Sequence, residues 1–316
     1  MRRFAAAAAF LLLAGCGGTG DRDDDAGKRD KVAVGVIAIV DVAPIYLGQA
    51  QGFFGQQDID LTLTTAQGGA AIVPGVLSAE FQFGFSNTIS LLLAQGRNVP
   101  IRVVANGNNS TGDAANDFGG LYVRADSPIR SAKDLGGRTV AANTLKNITE
   151  TTVKATVKKA GGDASAVRFT ELAFPDQVPA LQAGRVDAIF VVEPFQQAAI
   201  AAGARRIASP YAEAAPNLTV AMYFTSQQLI AEDPELVTRF TTAMRQSLAY
   251  ADTHPDEVRA ALGTYTKISP ETRDALVLPR WPVEVNRGSV TELGRLARED
   301  GLLTAEPDLT ALLPGS

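Results

Sequence analysis

From Lys31 to Thr225 the chain alternates short apolar runs with helix-patterned segments, and that rhythm leaves few architectures open. Val32 to Val40 is an almost unbroken apolar run, the pattern of a strand buried on both faces. Asp41-Val42-Ala43-Pro44 ends it, and Pro44 can open the helix Ile45 to Gln51, because proline is tolerated in a first turn. The alternation continues through strands at Ile59–Thr64, Phe81–Phe85 and Ile101–Ala105, with helices at Ala70–Ser78 and Ile89–Gln95 between them. A polar stretch, Asn106 to Asp117, breaks the pattern. It restarts with strands at Leu121–Arg124, Thr139–Ala142, Val167–Glu171, Ala188–Val192 and Arg206–Ala208, separated by a short helix at Ser131–Leu135 and longer ones at Asn147–Ala160, Asp176–Ala183 and Phe195–Ala202. After one further strand, Thr219–Thr225, the chain reads as almost wholly helical, with proline-marked starts at Asp233-Pro234-Glu235, His254-Pro255-Asp256 and Ser269-Pro270-Glu271. Strands alternating with helices at this spacing predict parallel sheets with helices on their faces.

The expected organisation is two α/β lobes, the second inserted into the first: lobe I from 31–116 and 225–316, lobe II from 117–224, with crossings at Asn106–Phe118 and Asn217–Thr225. An internal echo supports two related lobes. Leu77-Ser78-Ala79-Glu80-Phe81 onward and Leu181-Gln182-Ala183-Gly184-Arg185 onward each read as helix, tight turn, short strand and a polar residue opening the next helix. Two copies at a long separation indicate lobe symmetry and not a solenoid.

The first thirty residues concern location. Met1-Arg2-Arg3 is basic, Phe4 to Leu13 is apolar, and Leu13-Ala14-Gly15 are small or apolar residues ahead of Cys16, the layout of a secretory signal peptide over 1–16. Its apolar part is too short for a bilayer, which needs about 20 residues. Residues 17–30 have no large apolar side chains and are expected to form a flexible tether. Cys16 is the only cysteine, so the mature domain has no internal disulfide and no thiolate for metal or nucleophilic work. Without Arg2 and Arg3 the chain carries 27 basic against 34 acidic residues, a net charge of −7 that argues against a nucleic-acid partner.

Several motifs resemble one family. Ala43-Pro44-Ile45-Tyr46, Gln51-Gly52-Phe53-Phe54 and Ile59-Asp60-Leu61 resemble the opening of the nitrate, sulfonate, taurine and thiamine-pyrimidine family of solute-binding proteins. Asp126-Ser127-Pro128-Ile129, Lys133 to Arg138, Leu181 to Ala188 and Glu193-Pro194 are similar to further signatures of that family, in the right order. Gln57-Asp58, Ala79-Glu80 and the asparagine-rich segment 106–117 depart from it. The resemblance implies a two-lobed periplasmic-binding-protein type II fold with a helical C-terminal region. It also implies work beside the permease and ATPase of an ABC importer. Leu13-Ala14-Gly15-Cys16 resembles a lipobox, which implies an extracytoplasmic protein held to the bacterial cell membrane by lipid on Cys16. A monomer without a cofactor is expected.

Ligands of open α/β sheets bind beyond the carboxyl ends of the strands. In lobe I that rule selects Asp41, Pro44, Tyr46, Gly68, Gly69, Ser86, Asn87 and Asn106; in lobe II it selects Asn143, Thr144, Lys146, Glu193 and Phe195. Each has a plainer explanation: Ser86, Asn87, Asn143 and Thr144 as helix caps, the glycines as turns, Tyr46 and Phe195 as core, Lys146 as a solvated charge. Glu193 is the sharpest case, because an apolar strand carries it inward and a buried carboxylate needs donors or a cation. Two readings stand: it holds a ligand amine, or it pairs with Arg124 or Lys146 across the hinge. Two carboxylates against one lysine at the strand ends favour a neutral or amine-bearing organic ligand, an aminopyrimidine or another heterocycle able to stack on Tyr46 or Phe195, over a sulfonate, taurine or nitrate anion. An enzyme on the same fold is the rival from another class. The relatives that make the thiamine pyrimidine use a cysteine-rich motif and a histidine, which the mature chain does not reproduce; its single histidine, His254, falls at a helix start. A ligand sensor without transport is the third reading.

Overall fold

The computed structural model describes residues 29–315. The signal peptide, Cys16 and almost all of the tether fall outside the described residues. Two five-stranded mixed sheets share one topology. The first contains β1 (Asp30–Val36), β2 (Ile59–Thr65), β3 (Phe83–Asn87), β4 (Ile101–Asn109) and, from much later in the chain, β10 (Thr219–Ser226), in the order β2-β1-β3-β10-β4. The second contains β5 (Gly119–Val123), β6 (Thr139–Ala142), β7 (Arg168–Glu171), β8 (Ala188–Val192) and β9 (Arg205–Ala208), in the order β7-β6-β8-β5-β9.

Three of the expected details change. The sheets are not purely parallel: β10 runs antiparallel to β3 and β4, and β5 antiparallel to β8 and β9, because each enters its sheet from the other lobe and not through a helical crossover. The expected crossings also shorten. Asn106 to Asn109 continue β4, and β10 lies inside the first sheet, so the outward crossing begins near Ser110 instead of Asn106, and the return, expected over Asn217–Thr225, is complete before Thr219. Asp30 pairs with Ile59 in β1 and so belongs to the folded lobe rather than the tether.

The outward crossing is pinned by polar contacts. The Asp117 carboxylate accepts from Ser110 Oγ at 2.7 Å, from the Thr111 amide at 2.9 Å and from the Phe118 amide at 3.0 Å. Arg206 of β9 donates to the carbonyls of Ala115 and Asp117 at 2.9 and 3.0 Å. On the return, Asn217 takes a left-handed backbone, and Asn286 donates to the carbonyls of Pro216 and Asn217.

The echo between the lobes is more regular than its residues suggested. Helix Gly69–Leu77 and helix Phe174–Gln182 both have nine residues, both contain an internal proline (Pro74 and Pro179), and both lead into a five-residue strand, β3 and β8. The intervening turns use a left-handed residue, Ala79 in one lobe and Gly184 in the other. Thus Ala79 matches Gly184 and not Ala183, one position from the register that residue similarity suggested.

The helical C-terminal region closes over lobe I. Asp233 caps the twenty-residue helix Pro234–Thr253 by accepting from the Leu236 amide, and Pro234 fits its first turn. Leu236, Phe240, Ala243, Met244, Ser247, Leu248 and Ala251 repeat at helical spacing and are buried, and Phe240 stacks on Phe83 of β3 with ring centroids 3.7 Å apart. Its neighbour, helix Pro255–Tyr265, ends in Tyr265, whose hydroxyl donates to the Ile39 carbonyl at 3.0 Å. Among the described residues no helix is long and apolar enough to cross a membrane.

Candidate functional site

The ends of β1, β3 and β10 in lobe I face the ends of β6 and β8 in lobe II. Between them lies a small cavity of about 30 Å³ lined by Asp41, Asn87, Asn143, Asn147, Tyr211 and apolar side chains that include Ile37, Ile39 and Phe174. The lobes are in contact at its rim: a Cβ added to Gly68 would stand 2.4 Å from Thr144 Oγ1 and 3.5 Å from Asn143 Nδ2, so only glycine permits this approach.

Asp41 sits where the predicted first strand gives out. The strand ends at Val36, earlier than Val40, and Val40–Val42 form a 3-10 turn that leads into helix Ala43–Ala50 with Pro44 in its first turn. Asp41 is 2% exposed and has no lysine or arginine partner among the described residues. Its Oδ2 has no hydrogen-bond partner. Burial pushes its carboxyl up to about 7; its own backbone amide and the Asn108 amide oppose this, and Asp117 adds to it. The Asn108 contribution is not a formed hydrogen bond, since Asn108 Nδ2 and Oδ1 are themselves unpartnered. Ser86 Oγ, Thr149 Oγ1 and Tyr223 Oη are buried and unpartnered too. With Thr149 in lobe II and the others in lobe I, both lobes keep hydrogen-bonding capacity that the fold does not consume. Buried polar atoms in that condition are uncommon in native proteins and call for a partner from outside the fold, a ligand or a water.

Glu193 is the opposite case. It is 0% exposed, at the mouth of β8 in a cis Glu193-Pro194 peptide. Its Oε1 accepts from Gln197 Nε2 at 2.8 Å, Gln196 Nε2 at 3.1 Å and the Val277 amide at 3.1 Å, and its Oε2 accepts from the Gln197 amide at 3.3 Å. Its carbonyl also accepts from the Val40 amide at 3.0 Å. Both Val40 and Val277 belong to lobe I, so this one residue ties the lobes twice. Burial raises the Glu193 carboxyl above its ordinary range, with the amide donors opposing. Neither expected cation is its partner: Arg124 pairs with Asp126, and Lys146 lies elsewhere.

The remaining expected residues divide. Asn87 and Asn143 line the cavity; Asn87 also caps helix Thr88–Gly96 by accepting from the Ser90 amide at 3.0 Å, and Asn143 accepts weakly from Asn147. Gly68 and Thr144 meet at the rim, and Gly69 abuts Ser86, whose side chain is buried. Phe195 stacks on Phe174 with centroids 5.6 Å apart, both lining an outer cavity. Tyr46 stacks on Tyr265 at 3.9 Å, which in turn donates to the Ile39 carbonyl, and Pro44 is buried in its helix. Asn106 donates to Asn109 Oδ1 and to the Pro282 carbonyl. Lys146 has a left-handed backbone and lines a separate surface pocket with Lys154, Lys158 and Asp300. Cys16 lies outside the described residues. Asn108 was missed; its signal was the asparagine-rich run itself. Ile37, Ile39 and Tyr211 carried no signal, because apolar residues at strand ends read as core. Among the described residues no cluster of three or more His, Cys, Asp or Glu side chains is placed to hold a metal ion.

Comparison with known proteins agrees with this geometry. Similar structures include the nitrate-binding protein NrtA from Synechocystis PCC 6803 (TM-score 0.77, 11% identity, covering 90% of this chain and 86% of that one). They also include the alkanesulfonate-binding protein SsuA from Xanthomonas axonopodis pv. citri (0.74, 16%, 90% and 98%) and a ligand-binding component of an ABC-type import system from Staphylococcus aureus (0.76, 11%, 90% and 97%). At these identities the likeness is one of fold, the two-lobed periplasmic-binding-protein fold. No curated protein sequence matches the chain. The model of the family described as NMT1/THI5 like matches residues 39–258, and the chain belongs to that family.

Proposed function

We propose that this protein is the extracytoplasmic solute-binding component of an ABC importer, a monomer anchored through lipid on Cys16 that captures a small organic ligand between its lobes and presents it to a permease. It binds without catalysing a reaction and without a cofactor. Its ligand carries an amine or an equivalent hydrogen-donating, cationic head. The observation that carries this reading is Asp41: a carboxylate buried in the cavity between the lobes, with one oxygen unpartnered and, among the described residues, no cation to neutralise it. A ligand cation supplies the missing partner, and closing the lobes over it strengthens the interaction by excluding water. The differential affinity for the closed form is what shifts the lobes toward closure.

An anion of the sulfonate or nitrate type is the second reading, favoured by the names of the structural neighbours. The two separate by the sign of their pH dependence. An amine-bearing ligand needs Asp41 ionised, so its affinity rises as pH increases through about 7; an anion needs Asp41 protonated and binds more weakly over the same interval. Calorimetric titration of aminopyrimidines, alkylamines, taurine and nitrate at pH 6 and pH 8 tests this. Binding of taurine or nitrate alone, stronger at pH 6, would sink the amine reading.

A further inference from the structure

The inner cavity, at about 30 Å³, is far below the roughly 300 Å³ at which small-molecule sites begin, and has no room for a whole organic molecule. It opens past three shared wall residues, Ile37, Ile39 and Phe174, into a second cavity of about 460 Å³, within the size range of small-molecule sites. The inner wall of this outer chamber is apolar. Ile37, Ile39 and Phe174 are buried, Phe195 lies parallel to Phe174 at an interplanar angle of 15°, and Ala66 closes the lobe I side. Its polar residues Thr65, Gln67 and Asp176 are all exposed, at the solvent edge. Buried and half-buried hydrogen-bonding groups, Asp41 with Asn87, Asn143 and Asn147, are therefore confined to the inner cavity, while the outer chamber has an apolar inner wall and a polar rim.

We infer that the ligand is amphipathic, with a compact polar head on Asp41 in the inner cavity and an apolar tail, alkyl or aromatic, held in the outer chamber between Ile37 and Ile39 of one lobe and Phe174 and Phe195 of the other. This rests on the proposed solute-binding reading and sharpens its ligand class. A ligand that is all head leaves the sleeve wet and closes the lobes poorly. A tail that spans from one lobe to the other adds buried apolar area only when they close, and so couples tail length to closure.

The test is calorimetry on the full mature chain with two series that share tails and differ in head: methylamine, butylamine and benzylamine against methane-, butane- and phenylmethanesulfonate. In the series that binds, affinity is expected to climb about fourfold per buried methylene until the chamber is filled. Phe195→Ala is expected to bring the long-to-short affinity ratio toward one. If that variant fails to fold, Ala66→Phe narrows the chamber from the opposite wall and lowers the same ratio. Growth with tail length in the sulfonate series alone supports the chamber and defeats the amine head. A flat response in the series that binds, or no binding by either series, overturns the inference.

Discussion

Two carboxylates lie past strand ends at the interlobe boundary, Asp41 after β1 of lobe I and Glu193 after β8 of lobe II, and they have opposite fates. Glu193 receives four donors, two of them glutamine side chains one helical turn on and one an amide from the facing lobe. Asp41, also buried and, among the described residues, also without a cation, keeps Oδ2 unpartnered beside the unpartnered amide of Asn108. Burial alone therefore does not identify a binding residue. A buried charge whose donors come from the fold acts as a tie between lobes; a buried charge whose donors are missing is available to a ligand.

The largest effect that would break this comparison lies at Asp41. Its folded-state pKa of about 7 stands above the ordinary 3.8, so the folded protein holds that proton more tightly than the unfolded chain. The associated stability is present below about pH 4 and is lost as pH rises to 7, on the order of 4 kcal/mol. Asp41→Asn removes this dependence: urea unfolding of the ligand-free protein at pH 8 is expected to show a more stable variant, while ligand affinity collapses. A variant less stable than the wild type at pH 8 would place Asp41 among the structural ties.

Next comes Glu193→Ala, which strands Gln196, Gln197 and the Val277 amide in the interior; a loss of about 3 kcal/mol is expected, against about 1 kcal/mol for Glu193→Gln, which keeps an acceptor in place. Equal losses would show that the donors do not matter. Smaller again is Gly68→Ala, whose new Cβ meets Thr144 as the lobes close; affinity is expected to fall about tenfold, equivalent to about 1.4 kcal/mol, with an unchanged melting temperature. The smallest is Lys158→Ala. Lys158 bridges to Asp300 at 2.9 Å between helix Ile148–Lys159 of lobe II and the end of helix Arg287–Glu299 of lobe I, but the lysine is half exposed. Its removal is expected to change affinity by a factor worth less than about 1 kcal/mol, with the residual effect vanishing in high salt.

Much of this was legible in the residues. The strands and helices follow from the apolar period, and the helix starts at Pro234, Pro255 and Pro270 fall where the proline rule puts them. Asp41 was legible as a residue past a strand end, although the strand stops sooner than its apolar run. Sheet membership of β10 was not legible, because its run of apolar residues suits either lobe and only long-range pairing with β3 and β4 decides it. For Glu193 the apolar run foretold burial, but the glutamine donors Gln196 and Gln197 one turn later went unread, because the expected partner was a cation. The Val277 amide, 84 residues away, had no local signature. Lys146 was unreadable for another reason: its left-handed backbone turns the chain away from the strand-end direction that selected it.

The division of labour between the two carboxylates is tested most directly by native mass spectrometry of the wild type, Asp41→Asn and Glu193→Gln, each purified from its source. The account predicts that wild type and Glu193→Gln retain the same small organic mass, one with a basic nitrogen and an apolar portion, and that Asp41→Asn has lost it. A ligand kept by Asp41→Asn and lost from Glu193→Gln, or a retained inorganic anion, would contradict it.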